Sequence, residues 1–376
     1  MKGILEENKQ WIDETWDKLD KKLKVVSQRS KDKIPYTAVD GVHDDQLKTR
    51  PSWWTNGFWP GLMWVMYCGT KDDTYKEVAQ NGEKLLDAAF KDFNGLHHDV
   101  GFMWHISSGM DYRLFGGEKS RTRTLYAANM LAARYNIGGG FLRAWNEDKY
   151  GWTIIDTMMN IPLLYWATKE TGDPRYRFMA EAHADMAMRD HVRPDGSVNH
   201  IVVHDHFTGE VLETLAGQGY EVGSSWSRGV SWALYGFVLS YIHTGKKEYL
   251  DTAKRVANYF ISCVCDDYLP RCDFRSPDEP VLYDSTAGAI AACGLIEIAK
   301  NVGEYESNVY MNAAVKMLKA MGEQFGDFNP ETDPVLLMGT EAYHAADKGK
   351  HIPIIYGDYY FAEALYKLRG GDILFW

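Results

Sequence analysis

A helical couplet that recurs along the chain constrains its fold more than any other feature of the sequence. In each copy an apolar helix leads, through a short turn with Gly or Lys, into an amphipathic helix that begins near a tyrosine. The clearest copies read CGTKDDTYKEVAQ, TGDPRYRFMAEA, TGKKEYLDTAKRVA and VGEYESNVYMNAAVKML, and FGGEKSRTRTLYAANMLAARY is a looser one. Because a helix that is apolar all round belongs in an interior and an amphipathic helix covers it, each copy predicts an inner–outer hairpin.

The number of such helices predicts a closed ring. Residues 4–27 form a first amphipathic helix and residues 359–368 a last one, which gives about twelve helices in six pairs. Strand-like alternation is confined to short pieces such as residues 197–203. The predicted fold class is therefore all-α, an (α/α)6 barrel of six helical hairpins that forms a single domain over residues 1–376.

The connections between the helices are unequal, and this inequality predicts where function lies. Turns from inner to outer helices are short, whereas the returns are long: residues 28–55, 91–104, 137–151, 191–226, 266–283 and 327–355. In a closed barrel all of these returns meet at one mouth, where long loops on a rigid scaffold commonly carry function. The amino ends of the inner helices converge there too, and their positive potential suits an anionic ligand.

One segment near that mouth buries a lone carboxylate. The stretch GWTIIDTMMNIPLLYWA, residues 151–167, contains a single acidic residue, Asp156. A buried, unpaired aspartate is costly when ionised, so we expect a raised pKa for Asp156, as a general acid requires; a satisfied helix cap is the alternative. Pro162 predicts that the helix kinks or begins there, with Asn160 as its cap.

Further candidate site residues fall in or beside the returns. They are Trp53, Trp54 and Asn56 in the first return, His97, His98 and Asp99 in the second, His200, Gln218, Trp226, Arg228 and Trp232 at the fourth, and Lys348 and Lys350 in the last.

Simpler structural roles compete with function at several of these positions. Trp232 can belong to the core, and the adjacent His97 and His98 are expected to face opposite ways, so that one of them only packs. His204 and His206 are expected to be exposed rather than to bind a metal. Asp284 and Asp358 precede or begin inner helices and are expected to be caps, while Lys348 and Lys350 can lie on a solvated loop.

Composition excludes several classes of partner. The net charge of -11 argues against nucleic acid and against an anionic membrane. The chain has 13 Trp and 23 Tyr, and flat aromatic faces are what sugar rings stack on. The sequence shows neither a secretory leader nor a membrane-spanning run, and its five cysteines lack disulfide or zinc spacing. We therefore expect a cytoplasmic protein, a monomer or weak homo-oligomer, without a metal or another cofactor.

Six motifs together resemble a known family. WWTNGFWPG, HHDVGF, IIDTMMNIPLLYWA, GSSWSRGVSWALYGF, YDSTAGAIAACGLIEIA and YGDYYFAEAL are similar, in order and over nearly the whole chain, to the unsaturated glucuronyl hydrolases of glycoside hydrolase family 88. The resemblance implies an (α/α)6 barrel that removes the 4,5-unsaturated uronic acid left by polysaccharide lyases at the non-reducing end of oligosaccharides, typically glycosaminoglycan disaccharides. Asn56 departs from the family pattern, because WTNGFW stands here in place of WTDGFW.

The resemblance also implies roles for individual residues. It makes Asp156 the catalytic acid/base and Asp99 the second essential carboxylate. It implies substrate contacts at Trp54, His200, Gln218, Trp226, Arg228 and Trp232. We add His98 from the HHD motif, and Lys348 and Lys350 as contacts for a sulfate on the next sugar.

The chemistry of the implied substrate suggests a mechanism. Its double bond is a vinyl ether, so protonation of C4 gives an oxocarbenium ion at C5, water adds to C5, and the resulting hemiketal opens and expels the remaining sugar. We expect Asp156 to protonate C4 and Asp99 to hold the ring hydroxyls. Three alternatives remain: an unsaturated rhamnogalacturonyl hydrolase of family 105 acting on pectin fragments, a catalytically silent carbohydrate-binding barrel, and a sugar epimerase on the same barrel.

Overall fold

The helices form an inner and an outer layer in a computed structural model that describes residues 1–376. The outer layer comprises α1 (Lys2–Arg29), α4 (Asp73–Leu85), α7 (Glu118–Ala132), α9 (Arg175–Asp190), α11 (Lys247–Val264) and α13 (Glu304–Gln324). The inner layer comprises α3 (Phe58–Thr70), the broken pair α5 (Val100–Trp104) and α6 (Ser108–Phe115), α8 (Pro162–Thr171), α10 (Ser227–Thr244), α12 (Ser285–Asn301) and α14 (Ile355–Leu368). A short helix, α2 (Gln46–Thr49), lies in the first return.

Burial separates the two layers as the couplets predict. Every residue of α14 is buried, and so is every residue of α12 from Ser285 to Ala299. The outer helix α11 buries one face, on which Tyr249, Val256 and Phe260 recur at helical spacing. Helix α14 packs against both α12 and α3, which closes the inner ring, and α1 packs against α14. The predicted (α/α)6 barrel is therefore confirmed.

The short inner-to-outer turns depend on a left-handed residue. Lys71, Gly172 and Gly245 end α3, α8 and α10 with φ values of 61°, 75° and 73°. In each case the N–H group of this residue bonds back to a carbonyl in the last turn of its helix, which ends the helix and reverses the chain. This conformation explains why the turns of the repeat carry Gly or Lys.

The long returns meet at one mouth, where they form small antiparallel sheets and bond to one another. Strand β1 (Ala38–Val39) pairs with β2 (Val42–His43), and β3 (Tyr135–Asn136) pairs with β4 (Phe141–Leu142). Strand β6 (Ile201–His204) lies between β5 (Trp152–Ile154) and β7 (Val211–Leu215). Backbone hydrogen bonds join different returns: His98 to Ala144 at 3.3 Å, Ile155 to His200 at 3.1 Å, Ser227 to Cys272 at 3.0 Å and Tyr343 to Gln218 at 2.9 Å.

The segment around Asp156 is less helical than expected. Residues 152–154 are strand β5, residues 155–159 form a 3₁₀ turn, and α8 begins at Pro162. Proline is favoured at this first helical position because its missing N–H needs no partner there. The helix cap is Ile161, so the prediction that Asn160 caps α8 is wrong.

The structure also bears on the expectations about membrane spans and disulfides. None of the helices combines the length and the apolarity that a membrane span requires. All five cysteines are free thiols, three of them buried.

Candidate active site

A cavity of about 660 Å³ opens at the mouth of the barrel, and several returns contribute to its lining. Eight candidate site residues lie in its wall: Trp53, Trp54, His97, His98, Asp99, Asp156, Gln218 and Arg228. The cavity thus brings together predicted residues that are up to 175 positions apart, from position 53 to position 228.

Asp156 lies between strand β5 and helix α8 and faces His200. The residue is 8% exposed, and its Oδ1 atom is buried without a hydrogen-bond partner, 3.5 Å from His200 Nε2. His200 Nδ1 accepts the backbone N–H of Gln218 at 2.9 Å, so the neutral ring carries its proton on Nε2 and directs it toward Asp156. Asp156 caps no helix, so the structural alternative for this residue is wrong.

Asn160 connects the carboxylate of Asp99 to the backbone of Asp156. Its buried amide nitrogen donates to Asp99 Oδ1 at 3.0 Å and to the backbone oxygen of Asp156 at 3.2 Å. Its Oδ1 atom accepts the backbone N–H of Phe102 at 2.8 Å. A single side chain therefore ties the amino end of α5 to the turn that carries Asp156.

Asp99 is a carboxyl group whose pKa is raised by its surroundings. Burial raises the pKa of Asp99 well above its ordinary value, the negative charge of Asp156 adds to the shift, and the bond from Asn160 opposes it. The sequence predicts a buried carboxyl group with a raised pKa at this mouth, and the structure gives that shift to Asp99.

Both histidines of the HHD motif face the carboxylate of Asp99. His97 Nδ1 and His98 Nε2 each lie 3.4 Å from Asp99 Oδ2, so the prediction that the two side chains face opposite ways is wrong. Burial lowers the pKa of His97 to about 4, and it lowers the pKa of His98 still more clearly. Both rings are therefore neutral near neutral pH, and His98 Nδ1 is held at 2.8 Å by the hydroxyl of Thr157.

These three groups are the one cluster in the structure whose donor atoms lie close enough together to hold a metal ion. The two imidazole rings are stacked, with centroids 5.3 Å apart and planes inclined by 27°. The three donor atoms lie within 4.8 Å of one another.

Arg228 is a buried cation that already has a partner. Its guanidinium forms an ion pair with Asp284 and donates to the backbone oxygens of Thr340 and Glu341, both at 2.7 Å. Asp284 also accepts the N–H of Thr286 at 3.2 Å, so its predicted role as the cap of α12 is confirmed. The positive charge of Arg228 at the cavity wall is therefore largely neutralised by Asp284.

Five predicted substrate contacts do not line the cavity, and they are His200, Trp226, Trp232, Lys348 and Lys350. Trp232 is completely buried and packs against Phe102, with ring centroids 5.1 Å apart. It is therefore a core residue, which was the alternative to substrate binding. Trp226 is 2% exposed and packs against His200. Neither ring offers a face to a sugar in this conformation. Lys348 is exposed and Lys350 half-buried, and neither lines the cavity.

The structure also gives roles to Asn56, Asp358 and His204. Asn56 is buried, and its amide donates to the backbone oxygens of Arg50 and Pro51, which fixes the end of the first return. Asp358 is not a cap, because it accepts the N–H groups of Val335 and Leu336; burial raises its pKa to about 7. His204 is buried and bonds to Asp190 at 3.0 Å, so its predicted exposure is wrong.

Several residues of the cavity wall were not predicted from the sequence. They include Tyr36, Arg50, Trp145, Glu341 and Tyr356. Arg50 forms no ion pair in the structure, and its guanidinium lies 3.9 Å from the ring centroid of Trp53. Its position three residues before Trp53, at the end of a long return, was the available signal.

The fold and the cavity together indicate a class of protein. The cavity at the mouth of the (α/α)6 barrel is lined by aspartates, neutral histidines and aromatic rings. These groups are typical of a carbohydrate-active enzyme. The sequence pattern of Glycosyl Hydrolase Family 88 matches residues 26–265. The chain belongs to this family and is a glycoside hydrolase.

Individual relatives cover almost the full length of the chain. An unsaturated glucuronyl hydrolase of Bacillus sp. strain GL1 is 36% identical over 92% of this chain and 93% of its own. An unsaturated chondroitin disaccharide hydrolase of Streptococcus pneumoniae is 34% identical over 98% of this chain and 94% of its own. The crystal structure of the unsaturated glucuronyl hydrolase of Bacillus sp. GL1, described as responsible for the degradation of glycosaminoglycan, superposes with a TM-score of 0.89 at 33% identity, covering 95% of this chain and 97% of the other.

Replacing Arg228 tests whether it acts mainly in the fold or in substrate binding. Arg228→Gln leaves Asp284 buried without its partner, so we expect the free energy of unfolding to fall by about 3–5 kcal/mol in urea titrations. An unchanged free energy of unfolding combined with a large rise in KM would contradict this assignment. In that case the guanidinium would be available to a substrate.

Proposed function

We propose that this enzyme removes the 4,5-unsaturated glucuronic acid from the non-reducing end of lyase-generated glycosaminoglycan oligosaccharides. One observation carries the proposal: Asp156 and Asp99 line one cavity, and both are bonded to Asn160. The substrates named for the two relatives described above support the same class of sugar. The catalytic unit is the single barrel of residues 1–376.

The proposed reaction starts with transfer of a proton to the alkene carbon C4. The carboxyl group of Asp156 delivers this proton, and the resulting oxocarbenium ion at C5 is attacked by water. Asp156, then ionised, accepts a proton from that water, which leaves a hemiketal at C5. The hemiketal opens as its C5–O5 bond breaks and its hydroxyl proton passes to O5, which leaves a ketone at C5 and a hemiacetal at C1. The hemiacetal then becomes an aldehyde: its C1–O bond to the neighbouring sugar breaks, its hydroxyl proton passes to that oxygen, and the alcohol departs.

The surroundings of Asp156 support this assignment. His200 directs an N–H toward the Asp156 carboxylate, so it stabilises the ionised form that appears after proton transfer. Asp99 keeps a proton, because burial and the charge of Asp156 both oppose its ionisation. Asp99 is therefore placed to bond ring hydroxyls.

The uronate carboxylate needs a positive partner in the cavity. Arg228 contributes donor groups but little net charge, because Asp284 neutralises it. Arg50 has no acidic partner and lies over the face of Trp53, which holds the guanidinium without neutralising it. We assign Arg50 to the carboxylate, with Gln218 as a further polar contact and Trp54 as the stacking face for the sugar ring.

Replacing Asp156 is the direct test of the proton donor. Asp156→Asn keeps the shape of the side chain but cannot transfer a proton, so we expect turnover to fall at least about a hundredfold. The assay follows the loss of alkene ultraviolet absorbance with an unsaturated chondroitin disaccharide. Asp278→Asn is the matched control, because the side chain of Asp278 is 96% exposed and pairs only with Arg271.

The same assay separates the alternatives. Normal turnover by a folded Asp156→Asn enzyme would remove Asp156 from the mechanism. A panel that includes an unsaturated rhamnogalacturonan disaccharide distinguishes the pectin-directed activity, which would show as faster turnover of that substrate. A silent binding barrel would bind disaccharides without any loss of absorbance.

We also infer that the enzyme acts in a reducing compartment, the cytoplasm, as a monomer or weak homo-oligomer. The five free cysteines support the assignment to a reducing compartment, since none forms a disulfide. The proposed substrates are small enough to be imported after a lyase has cut the polymer. Fractionation of cells that express the native chain, with light scattering of the purified protein, tests both statements.

A further inference from the structure

A second cavity adjoins the active site. It has a volume of about 500 Å³ and lies beside the carboxyl end of α7 and the hairpin of β3 and β4. His97 lines both this cavity and the proposed active site, so the two spaces share a residue of their walls. The proposed reaction of Asp156 and Asp99 makes no use of the second cavity.

The charged residues that line the second cavity are all positive. Arg134 and Arg143 line it, and no lining residue is acidic, although the whole chain carries a net charge of -11. Arg134 donates to the backbone oxygens of Arg143 and Ala144 and to Asn146 Oδ1, at 2.8 to 3.0 Å. Neither arginine forms an ion pair, so two positive charges lie together without a counter-charge.

Arg143 acts on Arg134, and Arg134 acts on the active site. Burial and the neighbouring charge of Arg143 together lower the pKa of Arg134 to about 10. The charge of Arg134 also disfavours protonation of His97 and His98 and favours ionisation of Asp99. An anion in the second cavity would relieve the repulsion between the arginines.

Aromatic rings border the same cavity. Phe93 is 74% exposed and Tyr150 is 51% exposed, and the guanidinium of Arg143 lies 5.4 Å from the ring centroid of Tyr150. Exposed aromatic rings beside unpaired guanidinium groups are suited to a ligand that presents both sugar faces and anionic groups. A volume of about 500 Å³ is in the range of small-molecule sites.

We propose that the second cavity is a subsite for an anionic sugar unit of a longer oligosaccharide whose terminal ring occupies the active site. The carboxylate or sulfate of that unit pairs with Arg143 and Arg134, and its ring packs against Phe93 and Tyr150. This inference rests on the proposed function. It adds that the enzyme discriminates between disaccharides, which end before the second cavity, and longer chains, which reach it.

The test compares substrates of two lengths in matched variants. The probes are an unsaturated chondroitin 6-sulfate disaccharide and the corresponding hexasaccharide. For Arg143→Gln we expect kcat/KM for the hexasaccharide to fall about tenfold, the effect of losing one charge-assisted contact, and kcat/KM for the disaccharide to change less than about twofold. Arg143→Lys should restore part of the loss, and Arg177→Gln, a surface arginine on α9, serves as the control.

Oligosaccharide binding, measured also for Phe93→Ala, gives a second test of the subsite. In the Asp156→Asn background, both Arg143→Gln and Phe93→Ala should weaken calorimetric binding of the hexasaccharide but not of the disaccharide. Equal effects on both lengths, or none on the hexasaccharide, would overturn the proposal. Two disaccharides bound per chain would also overturn it, since the cavity would then take a separate molecule. Failure of the wild-type enzyme to hydrolyse the disaccharide would instead refute the proposed function itself.

Discussion

The proposed active site depends on the hydrogen bonds of one buried amide, that of Asn160. Its donor and acceptor atoms bond Asp99, the backbone of Asp156 and the backbone of Phe102. The contact requires a very close approach, because a Cβ atom on Gly101 would lie 2.7 Å from Asn160 Cα. A buried polar group that loses its partner costs about 1–3 kcal/mol, so this network also fixes how α5 meets the turn before α8. The positions of the two carboxyl groups are thus set by packing between two inner elements.

The charges around this network are arranged so that one proton is retained. Asp99 faces neutral histidines, because burial keeps His97 and His98 deprotonated. Of the two arginines in the cavity wall, Arg228 is neutralised by Asp284, whereas Arg50 has no acidic partner. Burial and the negative charge of Asp156 both oppose ionisation of Asp99, which favours a proton on that carboxyl group.

The layered barrel could be predicted from the sequence, because local periodicity decides which helices are apolar all round and which have one apolar face. The turns of the couplet, with Gly172 and Gly245 in left-handed conformations, were equally local signals. Asp156 and Asp99 were found from a buried carboxylate and from a family resemblance. The partners of these residues were not predicted, since the bonds of Asn160 to Asp99 and of Arg228 to Asp284 join positions 61 and 56 residues apart. Trp226 and Trp232 look like sugar-stacking residues in sequence, and only packing shows that their faces are covered.

The most direct test of the central claim is a crystal structure of the Asp156→Asn enzyme with an unsaturated chondroitin disaccharide bound. The account predicts that the terminal ring occupies the cavity of about 660 Å³, with C4 facing the side chain at position 156, the ring hydroxyls bonded to Asp99 and the carboxylate near Arg50. A terminal ring that binds elsewhere, or one whose C4 points away from position 156, would contradict the account.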